Sequence, residues 1–193
     1  MKFAHTAIAA ALGLAFSGAV LAQAGTIQRD VNQQNRIEQG LKSGELNTRE
    51  AARLEREQSR VERDQASAMQ DGKLSPAEKA RLAREQNQVS RDIYREKHDA
   101  QKGNPNSASS QRMQADVQRN ANQQSRIEQG VQSGSLTTRE AAKLERGQAR
   151  DSKLEARAGA DGKVGPREQR RIQRNENRES NKINREKHDA QTK

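Results

Sequence analysis

Shifted on itself by 90 residues, the chain falls into register without a gap. RIEQG at 36–40 lands on 126–130, TREAA at 48–52 on 138–142, and REKHDAQ at 95–101 on 185–191; from Thr26/Asp116 to Lys102/Thr192, 42 of 77 pairs are identical. A duplication this regular requires both copies to adopt one fold. Within the first copy, a shift of 28 residues superimposes Gly44-x-Leu46 on Gly72-x-Leu74 and Glu50-x-Ala52-Arg53-Leu54 on Glu78-x-Ala80-Arg81-Leu82. The smaller unit is a turn followed by a helix. Rich in Ala, Arg, Gln, Glu and Lys, the sequence predicts helices over about 27–41, 48–68 and 76–98, with counterparts 90 residues later. The expected fold is all-α: two tandem copies of a helix-turn-helix-turn-helix unit, over 26–101 and 116–193. Residues 102–115 are read as a flexible linker, because Gly103-Asn104-Pro105-Asn106-Ser107 breaks a helix and keeps the chain solvated.

The apolar stripes on these helices are thin. Leu54, Val61 and Ala68 recur every seven residues, and Leu82, Val89 and Ile93 follow a spacing of seven and four, giving each helix one narrow coiled-coil-like seam. Charged residues make up 32% of the chain against 30% for the hydrophobic class, so little else can form a core. A marginal core is expected, packing fully only against a partner, the other copy or a second chain in a homo-oligomer. The second copy looks weaker, since Asp151 and Glu179 replace Val61 and Val89.

Ahead of the first copy, Met1-Lys2 gives a positive start, Ala7 to Ala22 is almost wholly small and apolar, and Ala22-Gln23-Ala24 offers a cleavage site. Residues 1–24 are read as a signal peptide, leaving Gln23 or Gly25 as the first mature residue and placing the protein in the periplasm or outside the cell. The run is too short to span a bilayer, and no later segment is apolar enough to do so. With no Cys, the chain has no thiol chemistry, disulfide framework or thiolate metal site. No nucleophile–base–orienter set or phosphate-cradling glycine loop can be assembled either, so a non-enzymatic role is expected.

The glycine turns admit two readings. Asp71-Gly72-Lys73-Leu74-Ser75-Pro76-Ala77-Glu78 resembles the second half of an EF-hand calcium loop, with weaker echoes at Ser43–Glu50, Ser133–Glu140 and Asp161–Glu168. Calcium requires more oxygens than these loops offer: in the best of them Ser67 and Met69 stand where leading carboxylates belong, leaving Asp71 and Glu78 as the candidate ligands. The alternative is a helix cap, with Ser75 as N-cap, Pro76 in the first turn and Glu78 completing a capping box, repeated by Asn47/Glu50 and Thr137/Glu140. His98 and His188, in the repeated REKHDAQ, either set positive charge against helix C-termini or, with Asp99 and Asp189, supply ligands for copper or zinc if the two copies or two chains meet.

Charge is uneven. Residues 26–101 carry 15 basic and 14 acidic groups, whereas 116–193 carry 18 and 12. Along the last helix Arg167, Arg171, Arg174, Arg178, Lys182 and Arg185 line one face, a stripe suited to phosphates or acidic envelope polymers. Tyr94 is the sole aromatic beyond the leader and no nucleic-acid motif is present, which argues against nucleic acid. The pattern RIxxGxxSGxLTxxEAxxLE…DGxLxPxExxxL…SxxIxREKHDA resembles small exported proteobacterial proteins without an assigned activity. The resemblance implies a periplasmic helical repeat and brings no mechanism. The expected function is binding of an anionic envelope component or a protein partner. The alternatives are weak divalent-metal binding without a resident cofactor, or a hydrophilic stress-protective role.

Overall fold

A computed structural model describes residues 18–189. Residues 1–17, most of the segment read as an export signal, and 190–193 lie outside the described residues. The described chain is all helical: α1 (Gly18–Ser43), α2 (Thr48–Ala68), α3 (Pro76–Lys97), α4 (Ala108–Gln132), α5 (Thr138–Ala158) and α6 (Pro166–His188). Helices α2 and α3 fall where the sequence predicts them. Helix α1 extends past its predicted start at residue 27, and α4 begins inside the stretch read as a linker. There Ser107 caps α4 through Ser110 N, Gly103 N donates to Gly44 O at 2.9 Å, and Gln114 Nε2 donates to Pro105 O. Added atoms on Gly103 would collide with the backbone of Leu46 and Asn47, so the connection sits tightly on the first copy's corner.

The tight turns explain several repeated letters. Gly44, Gly72, Gly134 and Gly162 all have φ between +71° and +91°, a region costly to other residues. At the end of α1, Leu46 N returns to Gly40 O, and the Leu46 side chain lies so close over Gly40 that a Cβ there would be 2.7 Å from it. Leu136 and Gly130 repeat the arrangement. RIEQG and SGxL thus form one closure in which the leucine seals the helix end.

The seams of the central helices are covered chiefly by the other copy, those of the flanking helices by their own. The densest packing sets α2 against α5 and α1 against α4, while α3 and α6 flank this central layer. Both central pairs run antiparallel. Arg49 Nη2 donates to Asp161 O and its counterpart Arg139 Nη2 to Asp71 O, tying the start of each second helix to the turn ending the other. Leu54, Val61, Ala68, Leu82, Val89 and Ile93 are all buried. Asp151 and Glu179 are buried too, so these replacements change the chemistry of the core without turning the helices outward. Glu179 fits because Gly147 stands where the first copy has Glu57: a Cβ on Gly147 would strike the Glu179 carboxyl.

The interior is polar to an unusual degree. Asp30, Glu55, Glu62, Glu145, Asp151, Glu155 and Glu176 are each inaccessible to solvent. Gln34 Nε2 donates to Glu55, Gln124 Nε2 to both Glu62 and Glu145, and Ser152 Oγ to Glu62. Burial pushes Asp30, Glu55, Asp116 and Asp151 up to about 7 and Glu176 to about 9, and drives Glu62, Glu145 and Glu155 well above the usual carboxylate range. For Glu155 burial comes first, and the charge of Glu55 adds to it.

These acids are neutral when buried and ionise in the unfolded chain above about pH 4. Their contribution to stability is full below that value and is lost as pH climbs through about 7. Glu45 and Glu78, held below the usual range by hydrogen bonds from Ser43 and Ser75 respectively, act in the opposite sense, but at the surface. Urea denaturation is therefore expected to give a lower midpoint at pH 8 than at pH 4.5. Glu62→Gln with Glu155→Gln should recover about 1–3 kcal/mol at pH 8 and change little at pH 4.5. Equal midpoints at the two pH values would contradict the assignment.

Candidate functional site

Among the described residues no lysine or arginine is fully buried, and most of the cations lie on outer faces. Of the stripe on α6, Arg167, Arg171, Arg174, Arg178 and Arg185 are exposed. Lys182 is half-buried and spends its charge on Glu179 Oε1 at 2.7 Å. The stripe is not uniform in use: Arg171 and Arg178 turn into a cleft between α5 and α6 that the sequence did not reveal.

That cleft encloses about 290 Å³ and is lined by Arg150, Lys153, Leu154, Arg157, Arg171, Asn175 and Arg178. Positions 150, 153, 154 and 157 follow helical spacing on α5, facing 171, 175 and 178 on α6. Leu154 forms part of the floor, packed on the core beneath. Among the described residues, Arg150, Lys153, Arg157 and Arg171 make no salt bridge, and Arg178 Nη2 donates to the neutral Asn175 Oδ1 at 2.8 Å. Asp151 lies beneath, bonded to Asn175 Nδ2, with its carboxyl pushed up to about 7 by burial. It is a poor counter-charge for the five cations above it.

The first copy supplies an internal control. Its equivalent positions are Arg60, Arg63, Asp64, Ser67, Arg81, Glu85 and Gln88. There Arg81 pairs with Glu85 at 3.6 Å and Arg63 with Asp64 at 4.0 Å. Between the copies Asp64 becomes Leu154, Ser67 becomes Arg157, Glu85 becomes Asn175 and Gln88 becomes Arg178. Every one of these four changes removes negative charge or adds positive charge at one place. Three cations with two carboxylates become five cations with none. Reading the stripe along α6 alone misses the α5 half. The signal available in the sequence is the position-by-position comparison of the copies, joined to the pairing of their second and third helices.

The other predicted site residues are not brought together. Asp71 is exposed, and its Oδ1 accepts Lys73 N; Glu78 Oε2 accepts Ser75 N and Ser75 Oγ, completing the capping box at α3. The Asn47/Glu50 and Thr137/Glu140 boxes form likewise. His98 and His188 end α3 and α6, each with Nδ1 2.7 Å from the carbonyl oxygen four residues earlier, Tyr94 O and Asn184 O. The His98 ring also stacks on Tyr94, with centroids 4.0 Å apart. Because α2 and α5 run antiparallel over 21 residues each, the two histidines lie at opposite ends of the bundle, roughly 30 Å apart. A single chain therefore cannot join them at one ion.

No helix among the described residues is long and apolar enough to cross a membrane. Compared with known proteins, the chain matches no family model, no curated protein and no solved structure.

The cap geometry carries its own expectation. Ser75→Ala should lower stability by about 1 kcal/mol in chemical denaturation. Calcium should not restore the loss at this turn. Full restoration by millimolar calcium would instead give Asp71 and Glu78 a ligand role.

Proposed function

We propose that this protein is a non-enzymatic, exported binding protein built from two three-helix units, and that it holds an anionic polymer of the cell envelope in the cleft between α5 and α6. The observation that carries this reading is the set of four changes between equivalent grooves, which removes both carboxylates from the lining and adds two arginines. A cluster of unpaired cations on rigid helices is costly in mutual repulsion, and a ligand supplying anionic groups at several points relieves that cost. The fixed fork of arginine suits phosphate, sulfate and carboxylate oxygens, and four of the five cations are arginines. Arg167, Arg174 and Arg185, on the flank of the same helix, would extend the track for a long ligand. Placement in the periplasm or beyond follows from reading residues 1–24 as a leader, and sets the candidate ligands among acidic surface polymers.

Returning the groove to the first copy's chemistry is the direct test. The variant Leu154→Asp, Arg157→Ser, Asn175→Glu, Arg178→Gln should elute from a sulfated-polysaccharide column at markedly lower salt than the native chain. The slope of its log affinity against log salt should flatten by roughly one for each ligand-bound cation that the variant removes. Neutralising Arg167 and Arg185 by alanine should have the smaller effect. Unchanged elution of the fourfold variant would reject the groove as the site.

A further inference from the structure

Among the longest blocks that the two copies share are TREAA and REKHDAQ, about 45 residues apart in each copy. Folding brings them together at the junction between the start of the second helix and the end of the third. In the first copy, oxygens of Glu50, Glu96 and Asp99 lie within 4.8 Å of one another; in the second, Glu140, Glu186 and Asp189 repeat the arrangement at the far end of the bundle. Residues 94 and 184, in the turn just before these carboxyls, have diverged from Tyr to Asn, so local identity is not automatic.

An independent feature points into each triad. Glu50 and Glu140 are only 1% and 2% exposed. One oxygen of each, Oε2, accepts the N-cap amide of Asn47 or Thr137, which leaves Oε1 buried beside the other two carboxyls with no hydrogen-bond partner. Capping needs a single oxygen, so it accounts neither for the orphaned one nor for two further acids placed against it. Burying an unpaired carboxylate oxygen among like charges is unfavourable unless a cation is supplied.

We propose that each copy holds a hard divalent cation, calcium-like in size, between Glu50, Glu96 and Asp99 and between Glu140, Glu186 and Asp189. Three carboxylates offer oxygen alone, which selects against copper and zinc in favour of calcium or manganese. Oxygens this close can all touch an ion whose bonds are about 2.4 Å, with water completing the shell. The sites are distinct from the Asp71/Glu78 turn and from the histidine rings, and they are independent of the α5–α6 groove. They are not equal. Arg53 Nη1 occupies Glu96 Oε1 at 2.9 Å in the first copy, whereas its counterpart is Lys143. The Arg53 side chain is half exposed and can swing away, but it competes with the ion.

Calcium titration of the full chain by calorimetry tests this. Two binding events per chain are expected, in the submillimolar to millimolar range usual for sites with few charged ligands. Glu96→Gln should remove one event, Glu96→Gln with Glu186→Gln both, and Arg53→Gln should tighten the first several-fold. His98→Ala with His188→Ala should leave both in place. If the glutamine variants fail to fold, Asp99→Asn and Asp189→Asn, at the helix ends, serve the same purpose. Absence of binding to the native chain at 10 mM calcium, or binding that survives removal of both triads, overturns the proposal.

Discussion

The four central helices cannot cover their apolar seams within their own copy, whereas α3 and α6 pack on helices of their own copy, and the interlock follows from that shortage. A seam of one residue per turn or two is hidden only when another equally narrow seam is laid along it, which is what α5 does for α2 and α4 for α1. The antiparallel direction matters because it places each corner of one copy against the turn of the other, where Arg49 and Arg139 fasten reciprocal carbonyls. Once the copies are interlocked, their equivalent residues meet or nearly meet along an approximate twofold axis. Ser59 Oγ donates to the carbonyl of Ala149, and Ser152 Oγ to Glu62, each pair being one position seen in both copies.

The axis explains why the copies have not stayed identical. Two copies of Glu62 would face each other across it without solvent; the second copy has Ser152, which donates instead. An exchange of an acid for a neutral donor recurs elsewhere in the interior, with an amide in place of the hydroxyl: Asp30 stands opposite Asn120 in the alignment, Glu155 opposite Gln65, and Glu176 opposite Gln86. A dimer of identical chains could not separate donors from acceptors in this way, whereas a fused duplication can. Glu179 follows the same logic sterically, since it replaces Val89 only where Gly147 has vacated the space of Glu57.

Much of this was legible in the letters. The 90-residue register, the boundaries of α2 and α3 and the capping boxes at Asn47, Ser75 and Thr137 all follow from local rules of spacing and hydrogen bonding. The early start of α4 was hidden by Pro105 and the serines around it, which read as a linker but serve as a short turn and a Ser107 cap. The acidic interior was hidden because Glu and Gln on a helix read as solvated surface; only the interlock shows that Glu55, Glu62, Glu145 and Glu155 point inward. The α5 half of the basic cleft was hidden for a related reason: Arg150, Lys153 and Arg157 belong to a helix whose charged face carries no continuous stripe, and they gain meaning only from their neighbours on α6.

The pattern of change and constancy between the copies separates two kinds of surface. At the corners, where the start of the second helix meets the end of the third, both copies keep TREAA and REKHDAQ unchanged, although Asn47/Thr137, Arg53/Lys143 and Tyr94/Asn184 differ around them. On the flank between the second and third helices, five of seven positions have changed, and the four changes that alter charge agree in sign. Drift under a purely structural constraint would scatter charge on an exposed flank and relax residues at a corner once the turn is capped. The opposite distribution fits a molecule whose ends perform one task twice and whose flank performs another once, with the interlocked polar core holding the three surfaces in fixed relation.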